Sequence, residues 1–172
     1  EFYDKYENVK TLFKEADETL NFPLRKLIFE GPKEELDLTS NTQPAIFLVS
    51  FSIFNIIKNE FDIDLSKAKY FAGHSLGEYS ALVCSESLKF EDALYLLHQR
   101  GLAMQDAVPI GTGSMVAVLG TKINFIQDLI RTNLDEKEIC EIANDNSEGQ
   151  VIVSGRKESI ENFQNILKEK KI

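Results

Sequence analysis

A chain of 172 residues with 43% hydrophobic and 27% charged residues suits one ordinary domain, or one domain plus a small satellite, with a real core. Its formal net charge of −9 argues against nonspecific nucleic-acid binding, because no excess of Lys and Arg is available to neutralise phosphates; an anionic ligand held by a local basic patch stays possible. Cys84 and Cys140, the two cysteines, form neither a metal-ligand spacing nor a disulfide framework, so no metal is expected and a reducing setting is.

In chain order, Phe13, Ala16 and Leu20 recur at helical spacing until Pro23 breaks the run. "LRKLIFEGPKEEL" reads as a short helix stopped by Gly31-Pro32, then a second, acidic one. "SNTQPA" supplies polar cap residues ahead of a helix following Pro44. That helix, "AIFLVSFSIFNII" from Ala45 to Ile57, is apolar nearly all round, which predicts a buried helix. It is too short for a bilayer, which needs about 20 apolar residues. "AKYFAG" (Ala68 to Gly73) reads as a strand, "GEYSALVCSES" as a helix, and "FEDALYLLHQRGLAMQDA" as an amphipathic helix with Leu94, Leu97, Gly101 and Met104 on one face. "PIGTGS" (Pro109 to Ser114) is loop chemistry and the expected domain boundary.

Beyond it the rhythm changes. "SMVAVLG" is strand-like, and "NFIQDLIRTNL" puts Phe125, Ile126, Leu129 and Ile130 on one helical face. "CEIAND" and "QVIVSG" read as strands joined by the turn "NSEG", and "KESIENFQNILKEKK" as a helix with Ile160, Phe163 and Leu167 aligned. The order β-α-β-β-α lacks one strand of a split βαβ, ferredoxin-like unit. The predicted division is therefore 1–111 and 112–172.

The chemistry concentrates in Gly73-His74-Ser75-Leu76-Gly77. Gly-x-Ser-x-Gly between a strand and a helix is a nucleophile elbow: the serine occupies a sharp turn, and its hydroxyl is pushed out at the strand's end. The turn also offers the Leu76 N–H and the helix N-terminus to a tetrahedral oxyanion. Arg100 flanks the apolar stripe of its helix; facing inward it would fork a carboxylate, facing outward it would be a solvated surface residue. Neither histidine makes a good base. His74 adjoins Ser75, where elbow side chains diverge, and reads as an orienting or packing group. His98 diverges from Arg100 by about half a turn. Cys84 reads as a small core residue, and Gln43 either donates into the site or caps a helix.

"GHSLGEYSALV", "TQPA", "RGLAMQDAVPIGTGSMVAVLG" and "GQVIVSG" together resemble the malonyl-CoA:acyl carrier protein transacylases of fatty-acid synthesis, which share elbows with polyketide-synthase acyltransferases. The matches run in order over almost the whole chain. The resemblance implies an α/β fold: an α/β-hydrolase-like large subdomain carrying the serine, and an inserted ferredoxin-like small subdomain, both expected to be incomplete in this chain. It implies Ser75 as nucleophile, Leu76 as the oxyanion-hole N–H, Arg100 as partner of the malonyl carboxylate, and Asn146 near the cleft with His74 and Gln43. It also implies that the catalytic histidine and a second oxyanion donor, a glutamine N–H, are not in this chain, which is expected to be an internal piece with little turnover alone.

The implied substrate is malonyl-CoA, and the implied partner is an acyl carrier protein presenting a phosphopantetheine thiol, with no further cofactor. A monomer is expected, without nucleic acid or membrane, in the cytoplasm or in an organelle if a targeting segment precedes it. Arg156, Lys157 and the terminal lysines are candidates to meet an acidic carrier. Two rivals remain open at this point: another GxSxG hydrolase or esterase, or a non-catalytic acyl-CoA or carrier-protein binding module.

Overall fold

Helical periodicity governs the chain up to Ala107 and strand alternation enters only at Gly113, and the computed structural model divides in the same region. It describes residues 1–61, 63–109 and 111–172. These form two units, Glu1–Ala107 and Val108–Ile172.

The first unit is helical. It contains α1 (Phe2–Lys5), α2 (Glu7–Leu20), α3 (Leu24–Glu30), α4 (Lys33–Leu36), α5 (Thr39–Glu60), a 3-10 turn at Leu65–Lys67, α6 (Gly77–Cys84) and α7 (Phe90–Ala107). The predicted stripe of α2 is buried through Val9, Phe13 and Ala16, and Asn21 in the left-handed region closes the helix. Leu94, Leu97 and Gly101 turn inward from α7 as predicted, whereas Met104, predicted on the same face, is exposed. The two leucines meet Ala45, Phe47 and Leu48 of α5 in one core with Val9, Phe13 and Phe90. Phe47, Phe51 and Phe90 stack, with ring centroids 5.2 to 6.0 Å apart.

Three expectations need correction here. The "SNTQPA" residues do not precede their helix: α5 starts at Thr39, and Pro44 lies inside it. Nor is α5 buried all round, since Ile46, Val49 and Ile53 are between 39% and 47% exposed on one stripe. The third is the strand at Ala68–Gly73, which is absent. A strand exists by pairing, and among the described residues of this unit there is none to pair with; Tyr70 is 90% exposed.

The second unit follows the predicted order: β1 (Gly113–Leu119), α8 (Ile123–Asn133), β2 (Cys140–Ser147), β3 (Gln150–Arg156) and α9 (Lys157–Glu169). Ile110, in the predicted loop, lies outside the described residues. The sheet is antiparallel in the order β1-β3-β2. Its register runs from Gly113 opposite Arg156 to Leu119 opposite Gln150, and β2 shifts register twice along β3. Alternate residues Val151 and Val153 are buried against Ile126, Leu129, Ile160, Phe163 and Leu167. Phe125 departs from its predicted stripe and is exposed. Burial pushes the Cys140 thiol up to about 11, as befits a packing residue rather than a nucleophile. Among the described residues no helix is long and apolar enough to cross a membrane.

At Gly101 the backbone of α5 lies directly against α7. A Cβ there would run into Ser40 Cα and lie 2.6 Å from the Thr39 carbonyl oxygen and 2.7 Å from the Ser40 nitrogen. These are backbone atoms that cannot rotate away, so Gly101→Ala must part the helices. Its expected cost is about 1–3 kcal/mol, read as a lower urea midpoint; an unchanged midpoint would mean that the contact yields freely.

Candidate active site

The elbow is built as its glycine pattern predicts on one side only. Ser75 has φ 54°, a left-handed conformation uncommon for a non-glycine residue and a marker of local strain. Gly73 is obligatory, because a Cβ would collide with the Gly77 carbonyl and reach within 2.5 Å of the Glu78 nitrogen. Gly77 is different: a Cβ there meets nothing within 4 Å among the described residues. The turn is closed by backbone bonds from the Gly77, Glu78 and Tyr79 amides to the His74, Ser75 and Leu76 carbonyls, at 2.9, 3.1 and 3.1 Å. The Leu76 amide precedes this series, beside the start of α6. Ser75 is exposed and Leu76 half-buried.

Arg100 points inward. From α7, its Nη2 donates to Ser75 Oγ at 3.0 Å, and its Nη1 donates to Gln43 Oε1. Gln43 is 4% exposed, and its Nε2 donates to the sulfur of Met104 at 3.4 Å. The amide is thus held at both ends: Met104 orients its nitrogen, which leaves its oxygen for the guanidinium. Gln43 lies within α5, so it does not cap that helix, and it enters the site as the acceptor of the Arg100 guanidinium rather than as the expected donor, because its amide nitrogen is taken by Met104. The contact between Gln43 and Met104 is not legible from either residue alone.

The remaining candidates are placed as follows. His98 Nδ1 is bonded to the Ser40 carbonyl oxygen at 3.0 Å; a carbonyl only accepts, so Nδ1 carries the proton. His74 is exposed beside Ser75. Cys84 closes α6 half-buried, and burial raises its thiol above the usual range against the opposing charge of Lys58. Asn146 belongs to the second unit, on β2, where its Nδ2 donates to Gln150 Oε1 at 3.3 Å. Among the described residues no group of three His, Cys, Asp or Glu could hold a metal ion.

Chemically, the arrangement presents a hydroxyl on a strained turn with a cation fixed one hydrogen bond away. A guanidinium held by a neutral amide keeps its full charge for an incoming anion, whereas a carboxylate partner would have neutralised it.

Comparison with known proteins places this chain in a family. Residues 2–172 match the family model described as "Acyl transferase domain". The malonyl CoA-acyl carrier protein transacylase of Bacillus subtilis (strain 168) is 41% identical over 169 residues, 98% of this chain and 52% of that protein. The crystal structure of acyl-carrier-protein-S-malonyltransferase from Bartonella henselae superposes with a TM-score of 0.88 at 36% identity, covering 98% of this chain and 54% of that one. A malonyl-transacylase in complex with its type II PKS acyl-carrier protein superposes with a TM-score of 0.86 at 36% identity, covering 97% and 53%. The chain spans about half the length of the curated relatives it matches. With its helical first unit, its small antiparallel sheet and a match from residue 2 to residue 172, the chain belongs to the acyl transferase domain family.

Proposed function

We propose that the protein carrying this chain transfers a malonyl group from malonyl-CoA to the pantetheine thiol of an acyl carrier protein, through a malonyl ester on Ser75. The observation that carries the reading is the placement of Arg100, whose Nη2 lies 3.0 Å from Ser75 Oγ while Nη1 is held by Gln43. In a malonyl thioester the carboxylate carbon and the carbonyl carbon are joined through one methylene, about 2.5 Å apart. A carboxylate clamp for this acyl group must therefore stand close to the nucleophile, and Arg100 does. The names of the relatives point to the same acyl group and the same carrier.

The exchange has two balanced halves. Ser75 Oγ attacks the thioester carbonyl as its proton passes to a base; the C–S bond breaks, and coenzyme A leaves with a proton. The pantetheine thiol then gives up its proton and attacks the malonyl ester, and Ser75 Oγ leaves as the hydroxyl. The Leu76 N–H is assigned to the oxyanion, a donor of a kind worth roughly 3 kcal/mol. By the family resemblance, the base is assigned to a histidine of the full-length protein rather than to His98, whose Nδ1 is bonded to the Ser40 carbonyl, a reading supported by the half-length match to the relatives. The finer fold follows the same resemblance: an α/β-hydrolase-like part bearing the elbow, and a ferredoxin-like part whose order β1-β3-β2 leaves the outer side of β1 for a fourth strand. Side chains and the two thiols supply every group these steps require, without a further cofactor.

Arg100 also gives the selectivity. A malonyl carboxylate takes both Nη groups, whereas an acetyl group leaves the guanidinium without its anion. An esterase acting on neutral esters has no use for this residue.

Two outcomes test the reading. Intact mass of the full-length protein after brief mixing with malonyl-CoA is expected to rise by one malonyl group, and the gain to vanish in Ser75→Ala; a gain that persists would place the acyl group elsewhere, and no gain in the wild type would favour a binding module. Arg100→Ala is expected to lower acylation by malonyl-CoA about a hundredfold, corresponding to the loss of a charge-assisted bidentate bond, and to leave acetyl-CoA nearly unaffected. Equal losses with both thioesters would contradict the assigned clamp.

A further inference from the structure

Pro44 sits at the sixth position of α5, where a helix expects an amide. Lacking an N–H, it cannot donate to the carbonyl four residues back, and its ring crowds that same carbonyl. The carbonyl belongs to Ser40, which is buried, and a buried carbonyl without a partner is costly. The structure supplies a partner from another helix: His98 Nδ1, 3.0 Å away.

The position of His98 makes this more than a local repair. On α7, His98 and Arg100 lie two residues apart, roughly 200° around the helix, on opposite flanks of the Leu97–Gly101 stripe that presses on α5. One flank takes the Ser40 carbonyl, and the other takes Gln43 Oε1. Ser40 and Gln43 are three residues apart on α5 and share a face. The two side chains therefore grip one turn of α5 from both sides, and that turn carries the amide that aims Arg100 at Ser75.

We propose that His98 is a positioning residue: it provides the hydrogen bond that Pro44 removes from α5 and so fixes the turn whose Gln43 holds Arg100 on the nucleophile. It acts through its Nδ1–H and does not touch the reacting atoms. The selectivity readout rests on the malonyl reading above, and the spectroscopic readout does not.

The test is a cycle in the full-length protein with His98→Leu, His98→Asn, Pro44→Ala and Pro44→Ala/His98→Leu. Asn carries an N–H at the same number of bonds from the backbone as Nδ1. Pro44→Ala returns the amide to the helix, so the Ser40 carbonyl no longer needs the histidine. For the malonyl-to-acetyl acylation ratio, His98→Leu is expected to lose about tenfold, the size of one unpaired buried carbonyl. His98→Asn is expected to recover most of that loss, and His98→Leu to cost nothing further in the Pro44→Ala background. In parallel, the Arg100 Nη resonances of 15N-labelled protein are expected to be resolved by hindered rotation in the wild type, averaged in His98→Leu, and resolved again in the double variant. An equal loss from His98→Leu in both backgrounds, or an Asn variant as poor as Leu, would overturn the proposal. If the wild type takes no malonyl group, the functional reading falls, and the Nη resonances alone decide whether His98 holds Arg100.

Discussion

The site depends on the backbone contact between α5 and α7 at Gly101, where no side chain separates the two helices. Arg100, beside that contact on α7, reaches both Gln43 on α5 and Ser75. A side chain in place of Gly101 would push the two helices apart, and the arginine would have to span the gap. The glycine thus acts at a distance from the chemistry: it sets the geometry in which a buried amide can orient a cation. The phenylalanine stack of Phe47, Phe51 and Phe90 and the leucines of α7 supply the apolar burial that keeps the pair together.

The second constraint is the elbow. Ser75 is held at a positive φ, a conformation worth roughly 1–3 kcal/mol of strain, and the turn bonds from Gly77, Glu78 and Tyr79 hold it there. Gly73 permits the turn to close, since any side chain at that position would strike the Gly77 carbonyl. The strain presents the hydroxyl outward and leaves the Leu76 amide beside it. Arg100 approaches the same oxygen from α7, so hydroxyl and cation meet on elements packed in one core.

Much of this was legible before the structure. Helical periodicity marked α7 from Phe90 to Ala107, and the alternation of β3 and the Ile160–Phe163–Leu167 stripe of α9 were equally plain, because each element buries one face against its own unit. Ser75 stood out through its flanking glycines. The sequence misled where an element depends on something beyond itself. "KYFAG" has strand composition but no strand beside it among the described residues of its unit, and composition does not reveal pairing. Local rules place Pro at a helix start, so they assign the polar residues ahead of Pro44 to caps rather than to the first turn of α5; the hydrogen bond from His98, 54 residues beyond Pro44, satisfies the carbonyl that the proline orphans inside the helix. Gln43 was ambiguous for the same reason. Arg100 was undecided by periodicity because it lies on the flank of its stripe, where a long side chain can turn either way; the resemblance pointed inward, and the side chain lies on Ser75.

The most direct test of the central claim is the structure of the full-length protein trapped with a malonyl group on Ser75. Arg100 is expected to give up Ser75 Oγ and place its Nη groups on the malonyl carboxylate, with Gln43 still holding the guanidinium. An acyl chain whose carboxylate points away from Arg100, or an ester on another residue, would contradict it.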